Sequence, residues 1–332
     1  MRPLIELAHI PFSLVEQVAT IIEMGTPINN RELLALCIGS GIDGFAIDPH
    51  LCHEVAETAL NFLIQAKYGK ELLRATDPST ACSGILKPLY KRLPTQSWRS
   101  AAQVTYQQFS TPAPIAYLAS YLLNLHADDV VLEPSCGTGS LAVWARAADA
   151  TVITNEIDVR RRALGRLLGF DPTGHDAEFI DDLLPESAAP NVVMANPPFS
   201  SSGGRVKENW SRFGFRHVES ALRRLAHGGR FAVILGESGA PRTQAGRVFW
   251  DSLLPDVRVT GAIGLPGREY YRNGTTVGVT LILGRKLTPD ERESEAVVGD
   301  IANITASSVE DAFDRGLAAG LRFSPLPKSI NK

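Results

Sequence analysis

The sequence has little of what defines several specialised classes of protein. Its 332 residues include four cysteines, at positions 37, 52, 82 and 136, and no two of them form a CxxC pair. Secreted disulfide scaffolds are much richer in cysteine, so we expect reduced thiols in the cytoplasm and no metal site. The longest apolar runs, such as residues 231–235, are far shorter than the about 20 residues that span a bilayer, which predicts no membrane contact.

An excess of one charge is also absent, because 33 basic residues oppose 36 acidic residues and give a formal net charge of −3. Hydrophobic residues make up 44% of the chain, which excludes wholesale disorder and is typical of a folded, water-soluble protein. A chain of this length predicts about two domains. Its first ten residues contain Glu6 and no continuous apolar stretch, so we expect no secretion signal.

The spacing of apolar residues divides the chain into three regions. Residues 1–98 place apolar side chains three to four positions apart, which predicts a helical N-terminal region. Residues 99–286 alternate short β-branched runs with helical stretches, which predicts an α/β domain. The motifs described below lie in this region, and for that reason we expect it to be the catalytic domain. Residues 287–332 are predicted to form a polar C-terminal tail with one helix, within 307–319.

The β/α alternation of the middle region favours an α/β fold with a doubly wound, mostly parallel sheet and helices on both faces. The Asn273-Gly274 pair precedes the last apolar run, and Asn-Gly is a strong hairpin signal. We therefore expect one antiparallel strand near the end of the sheet. The predicted strands cover 130–134, 151–155, 191–195, 230–236, 257–265 and 275–284.

Residues 131–140 predict a strand that leads into a glycine-bearing loop, where ligands of open parallel sheets bind. Gly137 and Gly139 allow a ligand to approach the backbone, and Glu133 adds a carboxylate beside the loop. The spacing matches neither GxGxxG nor the phosphate-binding loop, and an acid suits a cation better than a pyrophosphate. The motif favours S-adenosylmethionine, whose amino and sulfonium groups are positive, although on its own it is also compatible with a glycine turn that binds nothing.

Acidic residues follow the next predicted strands as well. Glu156 comes 23 residues after Glu133 at the end of a strand, where a carboxylate accepts from both hydroxyls of a ribose. Ile157 would then lie against an adenine ring. Asp181 and Asp182 are expected at the next strand end, where a carboxylate accepts from the exocyclic amine of the cofactor. Each acid alone could be a solvated loop charge, but three at successive strand ends indicate a site.

The tetrapeptide Asn196-Pro197-Pro198-Phe199 ends another predicted strand, 63 residues after Glu133. Two prolines make a stiff turn that fixes the asparagine and exposes the preceding carbonyls. An aromatic amine is a poor nucleophile because its lone pair is delocalised into the ring. The asparagine oxygen and a backbone carbonyl can each accept one amine hydrogen, which draws the nitrogen towards tetrahedral geometry, while Phe199 offers a flat face to an extruded base.

Together these motifs resemble the N6-adenine DNA methyltransferases, above all the methylase domain of type I restriction-modification subunits. Phe109, Thr111 and Pro112, within QQFSTP at 107–112, match the motif that wraps the methionine moiety of the cofactor. A narrower resemblance is to methylase segments of plasmid proteins that accompany Strawberry Notch-like helicases. The resemblance implies four catalytic residues, Asn196, Pro197, Pro198 and Phe199. It implies the cofactor-binding residues Phe109, Thr111, Pro112, Glu133, Ser135, Gly137, Gly139, Glu156, Ile157, Asp182 and Asn196.

The resemblance also implies a class I S-adenosylmethionine-dependent methyltransferase fold, Rossmann-like, and duplex DNA with a flipped adenine as substrate. Families of this class usually recognise DNA through a separate domain, and only about 46 residues follow Lys286. That length is too short for such a domain. We therefore expect a separate specificity subunit or a helicase as a partner.

The segment 200–272 is more basic than the whole chain and carries a net charge of +6. Local basicity of this kind is what phosphate contacts need, although a charged helix surface would also explain part of it. Six acidic residues oppose twelve basic ones. The basic residues are Arg205, Lys207, Arg212, Arg216, Arg223, Arg224, Arg230, Arg242, Arg247, Arg258, Arg268 and Arg272.

Three other functions remain open at this stage. A guanine-N2 methyltransferase of ribosomal RNA shares the fold and the NPPF motif, but QQFSTP belongs to the DNA family. A protein glutamine methyltransferase generally has Tyr where this chain has Phe199, and it lacks the Thr-Pro motif. A DNA-binding or antirestriction subunit without turnover is the third, and the intact Asn196-Pro197 pair argues against it.

Overall fold

A computed structural model gives the structure of the chain, and it describes residues 10–42, 44–98, 109–198, 212–293 and 300–324. The N-terminal part is helical, as predicted. Its α-helices are α1 (Phe12–Glu23), α2 (Asn30–Gly39), α3 (Gly44–Ile47), α4 (His50–Leu63), α5 (Gly69–Leu73), α6 (Pro78–Ala81) and α7 (Lys87–Arg92), with π-helical turns at Ile64–Tyr68 and Cys82–Leu86.

Local sequence signals fix where these helices begin. Asn29 and Glu32 form a reciprocal capping box at the start of α2, in which each side chain accepts from the other residue's backbone amide. The carboxylate of Asp48 accepts from the backbone amide of His50 at the start of α4. Nearly every residue of α4 is buried, so this helix lies inside the molecule with its polar side chains included.

Seven strands form one sheet in the order β2-β1-β3-β4-β6-β5-β7. Among the strands of the described residues, only β6 runs antiparallel to its neighbours, β4 and β5, which confirms the doubly wound, mostly parallel sheet with an antiparallel strand near the end. The strands are β1 (Val130–Glu133), β2 (Thr151–Thr154), β3 (Val192–Ala195), β4 (Arg230–Gly236), β5 (Val257–Leu265), β6 (Val279–Lys286) and β7 (Ala302–Thr305).

Helices cover both faces of the sheet. Side chains of β3 alternate between two hydrophobic clusters, with Val192 and Met194 in one and Val193 and Ala195 in the other. The first cluster also contains the N-terminal helices, so the helical region shares a core with the sheet. The remaining helices are α8 (Ala113–Leu123), α9 (Ala142–Ala147), α10 (Val159–Leu167), α11 (Ile180–Leu183), α12 (Arg212–Arg224), α13 (Gln244–Ser252), α14 (Pro289–Glu293) and α15 (Val309–Ala318).

The structure differs from the sequence expectations at three places. The Asn273-Gly274 pair does not form a two-residue hairpin: it closes a 3-10 helix, Gly267–Asn273, where Gly274 adopts a φ of 85°. The predicted polar tail adds a strand as well as its helix, because β7 pairs in parallel with β5. No strand ends at Asp181 and Asp182, which lie in the short helix α11 after a 3-10 turn.

None of the helices in the described part of the chain combines the length and the apolar character that crossing a membrane requires.

Candidate active site

The parallel register of the three strands β2, β1 and β3 brings the predicted site residues to one edge of the sheet. Glu133 is the last residue of β1 and pairs with Thr154, the last residue of β2. Glu156 lies two positions after the end of β2, and Asn196 immediately follows β3. These carboxyl ends are the edge at which open α/β sheets bind their ligands.

The glycine loop after β1 requires backbone angles that favour glycine. Gly137 has a φ of 55° and Gly139 a φ of 89°, both in the left-handed region. A Cβ at Gly139 would also stand 3.3 Å from Leu168 and 3.4 Å from Phe170, so a larger residue would push against the core. The loop is therefore held in one shape by its own backbone and by the packing behind it.

Glu133 is a buried carboxylate, with 2% of its surface exposed. Its Oε2 atom has no hydrogen-bond partner among the described residues. Burial raises the pKa of Glu133 well above its ordinary value, the backbone amide of Ala142 opposes this, and the negative charge of Glu156 adds to it. An unpartnered buried carboxylate is costly, and a cationic ligand group beside it would offset that cost. The Glu133 carboxylate thus fits the positively charged amino group of S-adenosylmethionine.

Glu156 is also buried, and its two oxygens accept from separate backbone amides. Oε2 accepts from Gly137 N at 2.8 Å, and Oε1 accepts from Asp158 N at 2.8 Å. Burial raises the pKa of Glu156, while the charge of Arg161 and these two amides oppose the rise. Each oxygen keeps a lone pair that can accept from a ribose hydroxyl. Glu156 therefore also ties the glycine loop to the residues that follow β2, a role that the sequence did not predict.

The side chain of Asn196 is oriented by the segment that precedes α8. Its Nδ2 atom donates to Thr111 Oγ1 at 2.8 Å and to the carbonyl of Phe109 at 3.3 Å. Its Oδ1 atom is buried and has no hydrogen-bond partner in the described ranges. The structure thus brings Phe109 and Thr111 together with Asn196, and Pro112 next to them caps α8.

Tyr270 completes the surroundings of Asn196. It lies in the 3-10 helix before β6, and its side chain is fully buried. Burial raises the pKa of Tyr270, and hydrogen bonding to the neighbouring Asn196 and Thr111 opposes the rise. Sequence reasoning missed this tyrosine, because only the fold brings the residues before β6 against the end of β3.

The other predicted site residues lie in more varied surroundings. Ser135 is half-buried in the glycine loop, and Ile157 is 55% exposed beside Glu156. Asp182 is exposed in α11, which differs from its expected place at a strand end. Pro197 is buried and Pro198 half-buried, whereas Phe199 lies outside the described residues.

Several cations of the basic segment already have acidic partners. Arg216 pairs with Glu178, Arg223 with Asp181 and Glu219, and the buried Arg230 with Asp129. Arg230 cannot reach a phosphate without leaving the core, so this residue does not contribute to the basic surface that the segment was expected to offer. Arg205 and Lys207 lie outside the described residues, as does the side chain of Arg212.

Three polar residues of α4 contact the site and were not predicted. Asn61 Nδ2 donates to the carbonyl of Thr138 at 3.0 Å, Glu54 pairs with Arg161, and Glu57 accepts from several groups. In the sequence these three residues are recognisable only by their spacing of three and four positions, on a helix whose other residues are mostly apolar. That spacing places them on one face but does not say what the face touches.

The sheet order, the single antiparallel strand and the ligand-binding edge define a class I S-adenosylmethionine-dependent methyltransferase fold. No protein-family model matches the chain. A solved structure from Listeria monocytogenes, assigned to the class I S-adenosylmethionine-dependent methyltransferases, is similar with a TM-score of 0.53 and 18% identity over 94% of this chain and 96% of that one.

Type I restriction-modification subunits have similar structures. The M protein of the type I restriction enzyme EcoKI matches with a TM-score of 0.53 and 16% identity, over 96% of this chain and 78% of that protein. The methyltransferase subunit of a type I system from Streptococcus thermophilus matches with a TM-score of 0.51 and 15% identity, over 95% and 93% of the two chains. At these identities the likeness establishes a shared fold, N-terminal helices included.

Proposed function

We propose that this protein transfers a methyl group from S-adenosylmethionine to the exocyclic N6 amine of adenine in DNA. The observation that carries the proposal is the orientation of Asn196. Its amide nitrogen is engaged by Thr111 and Phe109, and no donor among the described residues reaches the buried Oδ1. An orphaned acceptor at the end of β3 is where an incoming amine hydrogen would be bound.

The cofactor would be held by the edge of the sheet around the glycine loop. Glu133 would face the positively charged amino group of the cofactor, Glu156 would face its ribose hydroxyls, and Ile157 would lie against its adenine ring. Phe109, Thr111 and Pro112 would enclose the methionine moiety, next to Asn196. When bound, the cofactor supplies an electrophilic methyl group on a sulfonium.

The chain itself prepares the amine for attack. Asn196 Oδ1 and a backbone carbonyl of the following proline turn would each accept one amine hydrogen, so the lone pair is withdrawn from the ring. The methyl group replaces one hydrogen, which leaves as a proton to water. These acceptors are fixed before the reaction begins, and such preorganised groups stabilise a transition state without reorganising. Phe199 is proposed, on the sequence alone, to stack on the extruded base.

The substrate and partners belong to the same proposal. Of the cations in the basic segment, Arg247 is exposed and is available to a phosphate backbone. Two of the similar structures, the M protein of EcoKI and the methyltransferase subunit from Streptococcus thermophilus, belong to type I restriction systems. We therefore propose duplex DNA as substrate, with a separate specificity subunit supplying sequence recognition.

The test is transfer of a labelled methyl group to unmodified genomic DNA, with ribosomal RNA and total protein as parallel substrates. The product is identified by mass spectrometry of the nucleosides. We expect N6-methyladenine from the wild type, and about a 100- to 1000-fold lower single-turnover rate from Asn196→Ala with nearly unchanged cofactor affinity. Asn303→Ala, an exposed asparagine in β7, serves as the matched control.

Each other outcome selects a different function. Methylated guanine in RNA would identify the ribosomal RNA activity, and methylated glutamine would identify a protein substrate. Binding of cofactor and DNA with no transfer to any of the three substrates would identify a non-catalytic subunit. Full activity of Asn196→Ala would remove this asparagine from the mechanism.

A further inference from the structure

The carboxylate of Glu57, in the middle of α4, is bonded to four separate segments of the chain. Its Oε2 atom accepts from Ser110 Oγ at 2.6 Å and from Thr138 Oγ1 at 3.2 Å. Its Oε1 atom accepts from Asn273 Nδ2 at 3.2 Å and also from the side chain of Gln96. A carboxylate with two bonds at each oxygen has its hydrogen-bonding capacity filled.

Three of these four segments belong to the candidate active site. Ser110 directly precedes Thr111, the residue that orients the amide of Asn196. Thr138 lies between the two glycines of the cofactor loop. Asn273 closes the 3-10 helix that carries Tyr270, and its Nδ2 also donates to the carbonyl of Ser110 at 3.2 Å.

We infer that Glu57 is a positioning residue that holds the cofactor loop and the segment orienting the catalytic asparagine in one fixed arrangement. The inference rests on the proposed methyltransferase function. It gives the N-terminal helical region a part in the reaction, since α4 supplies the one side chain in the described ranges that bonds both Ser110 and Thr138.

The chemistry of the site requires a carboxylate rather than a residue of similar shape. All four partners donate hydrogen to the carboxylate, and the amide of a glutamine replaces the acceptors at one of its two oxygens by N–H donors. Asn273 and Gln96 present amide nitrogens, which cannot accept, and the hydroxyls of Ser110 and Thr138 would have to turn and reverse their bonds. Glu57→Gln therefore disrupts the network without creating a cavity. Burial raises the pKa of Glu57, and the hydrogen bond from Ser110 and the positive charge of Arg161 oppose the rise by favouring the ionised form.

The experiment compares Glu57→Gln with Thr58→Val, a control at the next position of α4. In the described part of the chain, the Thr58 hydroxyl bonds only the carbonyl of Glu54 in its own helix, so its removal tests general disturbance of the helix. Calorimetry with S-adenosylmethionine gives the cofactor affinity. Single-turnover transfer to genomic DNA at saturating cofactor gives the rate of the chemical step.

For Glu57→Gln we expect about tenfold weaker cofactor binding and a rate about 100-fold lower, because both segments move. Thr58→Val should stay within about twofold of wild type in both measurements. Two further variants separate the effects. Thr138→Val should weaken cofactor binding and preserve the rate at saturation, whereas Ser110→Ala should lower the rate at saturation.

Values for Glu57→Gln that match those of Thr58→Val in both measurements would overturn the inference. If circular dichroism shows that Glu57→Gln does not fold, the test rests on Thr138→Val and Ser110→Ala. Wild-type affinity and rate in both of these variants would equally overturn the inference. A wild type without methyl transfer to DNA would refute the proposed function instead. The affinity comparison would still test whether Glu57 positions the cofactor loop.

Discussion

Thr111 and Asn196 lie 85 residues apart in the chain, and a hydrogen bond of 2.8 Å from Asn196 Nδ2 to Thr111 Oγ1 joins their side chains. An asparagine amide has a donor end and an acceptor end, and either could face the edge of the sheet. The carbonyl of Phe109, which can only accept, lies 3.3 Å from the same nitrogen and selects the orientation in which Nδ2 faces both groups. The Thr111 hydroxyl stabilises this orientation but could also donate to a flipped amide. Together the two contacts leave Oδ1 for the amine hydrogen of the proposed substrate.

Thr111→Val is expected to lower the rate of methyl transfer. The variant keeps the shape of the side chain but removes one of the two acceptors of Asn196 Nδ2, so the amide is oriented by the Phe109 carbonyl alone. Loss of one hydrogen bond of about 1 kcal/mol corresponds to roughly a fivefold lower single-turnover rate. Thr111→Ser, which keeps the hydroxyl, should restore most of it. Equal rates for Thr111→Val and wild type would show that the orientation is fixed by other contacts.

Cofactor binding is expected to release a proton from Glu133. The pKa of this buried carboxyl lies well above its ordinary value of 4.5, and a cation beside it would favour the charged form. Affinity for S-adenosylmethionine should therefore increase as the pH rises towards the raised pKa of the cofactor-free protein. Calorimetry in two buffers of different ionisation enthalpy measures the released proton, and Glu133→Gln is the control that cannot release it. Identical proton release from both proteins would assign it to another group.

The same carboxyl predicts how the stability of the cofactor-free protein changes with pH. Because the pKa of Glu133 is higher in the folded than in the unfolded state, its contribution to stability is fully present below pH 4.5. That contribution is lost as the pH rises through the folded pKa. Urea denaturation across this range should show a weaker decline for Glu133→Gln than for wild type. A parallel pH dependence of the two proteins would contradict the prediction.

Two variants of Glu156 are expected to differ in cofactor affinity. Glu156→Ala removes the acceptors of both Gly137 N and Asp158 N together with the proposed ribose contact. The glycine loop is then no longer hydrogen-bonded to residue 156. We expect roughly 10- to 100-fold weaker binding of S-adenosylmethionine, from about 1.5–3 kcal/mol of lost charge-assisted bonding. Glu156→Gln keeps one acceptor and should lose less. Glu186→Ala, an exposed acid, should bind as wild type does, and the same result for Glu156→Ala would exclude this residue from the site.

Arg230→Met is expected to affect stability and not DNA binding. Arg230 and Asp129 are buried and joined by two hydrogen bonds, of 2.6 and 3.0 Å, at the edge of the sheet opposite the site. Removing one partner of a buried pair costs about 3–5 kcal/mol, measured as a lower free energy of unfolding in urea. Arg247→Met, at an exposed position, should change stability by less than about 0.5 kcal/mol. An unchanged midpoint for Arg230→Met would contradict the prediction.

The sequence predicted those features that depend on short stretches of chain. Residues 230–236 were predicted as a strand, and β4 has these bounds, because a β-branched apolar run between polar turns has few alternatives. Glu133, Glu156 and Asn196 were predicted as neighbours because each follows a parallel strand. Their hydrogen-bond partners could not be predicted in the same way. Thr111 reaches Asn196 through the fold and not through the spacing of residues.

The features that were missed depend on distant contacts. Residues 302–305, Ala-Asn-Ile-Thr, carry only one fully apolar large side chain, and they form a strand because the edge of β5 is available to pair with them. Asp181 and Asp182 follow a short apolar run that a helix accommodates as well as a strand does. Glu57 gave no signal of its role, since its partner Asn273 lies 216 residues away.

The position of β6 between β4 and β5 has a consequence for how the chain is made. Both β4 and β5 precede β6 in the chain, yet β5 cannot join β4 in the sheet until β6, the strand that separates them, has been synthesised. Until then the nascent chain presents the open edge of β4, whose seven residues are almost all buried in the finished protein. An unpaired apolar edge of this kind is a template for aggregation. A message truncated before codon 279 should therefore yield insoluble fragments that bind chaperones, whatever their capacity to hold a cofactor.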